Sequence, residues 1–220
     1  MVKKRKFKHH VFIVLLILLL FTFIVGILLG RSLSNEKIDE ITMFIQNSEL
    51  NTESYLIEQE LFGTVDQNNC NLSKVRISDV SSQLAFLGRK LMAADTEKSL
   101  DKERYSFLKL KYHLMQIKTY LLFYNLIQEC DINSSVILYF YGDDAGLSQQ
   151  QGYILDKIVE DYDTKVFAIE YNYSKEIHFL ESYYNIKTTP SIVINYDKII
   201  EGHADYETIK NELESQSDKN

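Results

Sequence analysis

Tyr184-Asn185-Ile186-Lys187-Thr188-Thr189-Pro190-Ser191-Ile192-Val193-Ile194 holds the only proline in 220 residues. X-Pro bonds adopt the cis form far more readily than other peptide bonds, and proline is tolerated at a strand's first residue. A lone proline between polar residues and a β-branched run therefore reads as a specified turn entering a strand. With no thiol beside it, such a turn is a groove rather than a redox centre.

Working outward, Ser191 to Asn195 reads as a strand, Tyr196-Asp197-Lys198 as a turn and Ile199-Ile200-Glu201 as a second strand. Gly202 and a last helix around Ile209 and Leu213 follow. Upstream lie a helix carrying Ile177, Leu180, Tyr183 and Tyr184, and a strand at Lys165 to Glu170. Before these come a helical run through Tyr153, Ile154, Leu155, Ile158 and Val159, the turn Gly142 to Gly146, and the buried-strand pattern Val136 to Tyr141. The order is βαβαββα. Strands joined through a helix should be parallel with a right-handed crossover, and the last two, joined by a short turn, antiparallel.

This segment resembles a thioredoxin-like domain. Tyr184-x-Ile186-x-x-Thr189-Pro190-Ser191, three β-branched residues, a turn and Gly202 are similar to that family's cis-proline segment and closing hairpin. In redox-active members a C-x-x-C motif follows the first strand, where the helix N-terminus favours a thiolate. The resemblance puts that motif at Ala145-Gly146-Leu147-Ser148, so both thiols are missing. Ser148 has no base placed by sequence to activate its hydroxyl, and Tyr139 stands where the family usually buries an aspartate. The resemblance thus implies a degenerate, redox-inactive member with no catalytic residue and no cofactor, whose Thr189, Pro190 and Ser191 form a peptide-binding loop.

Two helical stripes precede this domain: Val80, Leu84, Leu87 and Leu91, then Phe107, Leu110, Leu114, Ile117, Leu121 and Tyr124. They predict an antiparallel hairpin turning at Asp95 to Lys102, with Asp95, Ser99 or Asp101 as cap of the second helix. Cys70 and Cys130 flank the pair and come to the same end of it. A structural disulfide is the expectation; two buried free thiols or a redox-active pair are the alternatives. Metal binding is not expected, because no histidine lies near either cysteine at ligand spacing.

From Val11 to Gly30 the chain runs twenty residues without a charge, the length that spans the roughly 30 Å hydrocarbon core as a helix. Lys3, Lys4, Arg5, Lys6 and Lys8 precede it and favour a cytoplasmic N-terminus with the remainder extracytoplasmic. A cleaved signal peptide is the competing reading, but its apolar region is usually shorter. Between Ser32 and Asn68, Ile38, Ile41 and Ile45, then Leu56, Leu61 and Phe62, suggest two helical pieces broken at Asn47 to Asn51. They read as a membrane spacer, or alternatively as a coiled-coil stem that would make a homo-oligomer.

The expected organisation is α+β or α/β in class. It comprises a basic cytoplasmic tail (1–10), a transmembrane helix or signal anchor (11–30), a helical spacer (31–69), a helical hairpin (70–132), a thioredoxin-like domain (133–216) and a polar tail (217–220). Of the net charge of −7, five positive charges sit in the first ten residues, leaving an acidic remainder that argues against nucleic-acid binding. His113, His178 and His203 read as surface or cap residues, and Gln149-Gln150-Gln151 as a solvated helix face. Asp143 and Asp144 read as turn residues. The functional expectation is a membrane-held, redox-inactive module that binds a peptide or protein at Thr189-Pro190. The alternatives are an oxidoreductase using Cys70 and Cys130, or a passive oligomerisation scaffold.

Overall fold

The computed structural model describes residues 9–65, 70–96, 101–130, 134–142 and 146–217. Three long helices, α1 (His9–Val65), α2 (Cys70–Thr96) and α3 (Lys102–Cys130), lead into β1 (Ser135–Tyr141), α4 (Leu147–Asp161), β2 (Thr164–Glu170), α5 (His178–Tyr183), β3 (Ser191–Ile194), β4 (Lys198–Glu201) and α6 (Tyr206–Ser217).

A seven-residue recurrence joins the long helices. On α2, Ser73, Ile77, Val80, Leu84, Leu87, Leu91 and Ala94 are buried, alternating steps of four and three. On α1 the buried series is Ile41, Ile45, Ser48, Thr52 and Tyr55. Its middle members are hydroxyls, which is why hydrophobicity alone suggests a break there. The helix continues because the Thr52 hydroxyl and neighbouring Asn51 find partners, while the Ser48 hydroxyl is buried without one. Thr52 Oγ1 donates to the Ser48 carbonyl at 2.8 Å, and Asn51 Nδ2 donates across to Gln83 Oε1 at 2.8 Å. Residues 39–58 are thus packed bundle rather than a spacer, tied by Lys90–Glu40, Lys111–Glu49 and Arg76–Glu58 ion pairs.

Asp101 caps α3: its Oδ1 accepts from the Arg104 amide at 2.9 Å. At the other end of the hairpin Cys70 and Cys130 form a disulfide, their Cα atoms 5.4 Å apart.

The sheet is four-stranded in the order β2-β1-β3-β4, with β1 and β2 parallel and the other pairs antiparallel. Its two faces are sorted by the pleat. Val136, Leu138, Phe140, Phe167, Ile169 and Val193 belong to one core, continuous with buried residues of α1, α2, α3 and α5. Ile137, Tyr139, Ile192 and Ile194 meet Leu155 and Ile158 of α4 and Ile209 and Leu213 of α6 in a second core.

Two expectations are corrected here. The described residues are predominantly helical around a small mixed sheet, and a free-standing thioredoxin-like βαβαββα domain after a membrane segment is not the fold class observed. The physical reason lies in the first core: residues 133–216 do not close their own sheet, because α3 supplies Tyr120, Phe123 and Leu126 to one of its faces. Second, among the described residues no helix is long and apolar enough to cross a membrane. The helix that carries Phe12 to Leu28 continues unbroken as far as Val65, into the polar bundle. The transmembrane helix, the signal anchor, the single-pass membrane localisation and the extracytoplasmic placement fall together. The basic tail at residues 1–8 lies outside the described residues.

Candidate functional site

The C-terminal ends of β1 and β2 and the start of β3 meet at one end of the sheet: Tyr141 is level with Glu170, and Phe140 with Ser191. The Thr189–Pro190 bond is cis. Pro190 is held from behind, its carbonyl accepting from the Gly202 amide at 2.8 Å. Gly202 sits at φ +83°, in the left-handed region that glycine tolerates. Ser191 is buried and turns inward, donating from Oγ to the Thr188 carbonyl at 2.7 Å; it shapes the loop and is not a contact surface. Lys187 and Thr188 are exposed and Thr189 is half-buried. Among the described residues neither the N–H nor the C=O of Thr189 makes a hydrogen bond.

Ala145, Asp143 and Asp144 lie outside the described residues. Ser148 lies at the same sheet end as the loop but is not a nucleophile in waiting. It is buried, its Oγ accepts from the Gly142 amide at 3.0 Å, and its carbonyl accepts from the Tyr139 hydroxyl at 2.6 Å. Tyr139 therefore fastens β1 to α4. The Cys70–Cys130 bond lies toward the opposite end of β1, a seven-residue strand away, roughly 20 Å. Among the described residues no cluster of His, Cys, Asp or Glu could hold a metal.

Beside Ser148 opens a cavity of about 470 Å³ between α2, α3, β1, β2 and α4. Its walls include the rings of Tyr105, Tyr112, Tyr139 and Tyr141. Lys109 is ion-paired with Glu170 and its Nζ lies 5.2 Å from the Tyr173 ring centre, 5.7 Å from Tyr105 and 5.8 Å from Tyr141. Burial pushes the Tyr105 and Tyr112 hydroxyls up to about 12 and Tyr141 higher still, so all three are neutral donors at any physiological pH. Gly88 leaves room on α2 for the Tyr112 ring: a Cβ there would stand 2.5 Å from the Tyr112 hydroxyl and the ring would have to shift. Gly152 is different: a Cβ there would meet nothing within 4 Å.

Sequence reasoning misplaced two groups near this cavity. His113 is 0% exposed, wedged among Tyr112, Tyr141 and Tyr173, with neither ring nitrogen hydrogen-bonded. Burial first and Lys109 second hold its pKa down to about 3. Gln151 is also buried, its Oε1 accepting from the Ala204 amide at 2.8 Å. By contrast His203 is exposed, and His178 Nδ1 lies 2.9 Å from Glu181 Oε2. A further feature had no sequence signal: Gln116 spans the outer edge of β2, donating to the Ala168 carbonyl at 2.9 Å and accepting from its amide at 2.8 Å.

No family model matches the chain, and no curated protein matches it. A solved structure titled "Structure of a malarial protein" is similar over 38% of this chain and 97% of that one, at 14% identity and a TM-score of 0.33, a likeness that carries no argument about function.

Proposed function

We propose that this protein is a non-catalytic binding module that takes an extended segment of a peptide or partner protein at Thr188-Thr189-Pro190. One observation carries the reading: the free N–H and C=O of Thr189, half-exposed on a loop pinned by Ser191 Oγ on one side and the Gly202 amide on the other. A rigid loop offering one donor and one acceptor favours strand-like pairing with an incoming backbone. The engaged hydroxyl of Ser148 supports a binding rather than a catalytic role. A photoreactive residue replacing exposed Thr188, compared with one replacing exposed Val75 on α2, tests it with a degenerate pool of synthetic nonapeptides. Crosslinking from position 188 alone, lost when the pool is backbone N-methylated, is expected. Equal crosslinking from both positions refutes it.

A further inference from the structure

We infer that the tyrosine-walled cavity beside Ser148 holds an aromatic side chain of the bound segment, about three residues from the one paired with Thr189. This rests on the reading of the Thr189 loop as a peptide site and gives that site its specificity.

The spacing comes from the sheet. β3, which the loop enters, is separated from β2 by β1 alone, so the two lie about 10 Å apart at roughly 4.8 Å per strand. The cavity reaches Glu170, the last residue of β2, and Gly142, one residue past β1. An extended chain advances about 3.3 Å per residue, so three residues carry it from Thr189 across the sheet end to the cavity mouth. The side chains facing the space choose the occupant. Four tyrosine rings offer faces and edges to another ring, and Leu91, Leu155 and Val166 complete an apolar lining. Of the three charges in the wall, Lys109 and Glu170 are paired with each other and Asp156 is solvent-exposed, which leaves no unmatched buried charge to recognise an ion. A volume of about 470 Å³ is within the range of sites that bury a ligand group. The mouth is kept open by Gly152, where any side chain would enter unoccupied space.

The chain contains no tryptophan, so the fluorescence of a tryptophan in a peptide probe reports its burial directly. The probes are acetylated, amidated nonapeptides of Ala, Gln and Thr with one central Trp, the same peptides with Ala in its place, and N-acetyltryptophanamide. The Trp peptide should bind with a blue-shifted emission and compete about tenfold or more better than the Ala peptide, the scale expected for burying a large apolar side chain. Gly152→Phe should remove that preference while leaving crosslinking from position 188 intact. Gly152→Leu repeats the test if circular dichroism shows that phenylalanine disturbs α4. Equal competition by the Trp and Ala peptides, or a preference that survives both Gly152 variants, overturns the inference and leaves the loop reading standing. If N-methylation anywhere in the Trp peptide changes nothing and N-acetyltryptophanamide binds equally well, the loop reading fails and takes this inference with it.

Discussion

His113 should make the fold acid-sensitive by a calculable amount. The ring is fully buried and its pKa is held near 3 against an ordinary value of 6.5. Because the folded state resists protonation and the unfolded state does not, the contribution is fully present above pH 6.5. It is lost as pH falls from there toward 3. The full span corresponds to about 5 kcal/mol at 1.36 kcal/mol per pKa unit, and between pH 7 and pH 4.5 the loss is about 2–3 kcal/mol. Carboxylates titrate over the same range, so the measurement must be a difference. Urea unfolding of the wild type and of His113→Phe at pH 7 and pH 4.5 isolates the histidine, since all other groups are shared. The wild type should lose about 2–3 kcal/mol more than the variant on acidification. His113→Leu provides the same comparison with a different shape. Parallel losses in wild type and variants would refute the assignment of a charge-resisting pocket formed by Tyr112, Tyr141, Tyr173 and Lys109.

Replacing Cys70 and Cys130 by serine opens a crosslink of sequence separation 60 and should cost about 4 kcal/mol by the chain-entropy relation, read as a lower thermal midpoint in non-reducing buffer. Gln116→Leu leaves the Ala168 amide and carbonyl without partners on a covered edge, so a loss of about 2–4 kcal/mol is expected in urea unfolding. Gly202→Ala forces a side chain into φ +83° and should destabilise by about 1–2 kcal/mol. It should also weaken peptide crosslinking from position 188, because the Gly202 amide braces Pro190.

The strands were legible because their signals are local. Val136 to Tyr141 is a continuous apolar run and β1 covers Ser135–Tyr141; Lys165 to Glu170 falls within β2. The α2 stripe Val80, Leu84, Leu87 and Leu91 was legible for the same reason, since one helix face meets one neighbour. The α3 stripe was misread. Phe107, Leu121 and Tyr124 are exposed, whereas Leu108, Met115, Tyr120, Phe123 and Leu126 are buried. That helix lies between the other two helices and the sheet, so it carries apolar residues on several faces and no single stripe marks the core. Tertiary partners decide such cases. Ser48 and Thr52 are core positions on α1 that hydropathy cannot reveal, and the buried Tyr120 hydroxyl is satisfied only by Tyr184 at 2.7 Å, from a segment 64 residues away. The loop residues of the candidate site were named from sequence, but the inward turn of Ser191 and the tyrosine cavity beside Ser148 arise from packing between distant segments.

The Cys70–Cys130 bond has a mechanical consequence. Tension applied between α1 and the sheet enters the hairpin at Cys70 and leaves at Cys130, so the covalent bridge carries the load past α2 and α3. About 200 Å of contour length, at roughly 3.5 Å per residue, is withheld from extension. A pulled molecule should lengthen by that increment only after a reductant is added, with the hairpin acting as a stored reserve of chain.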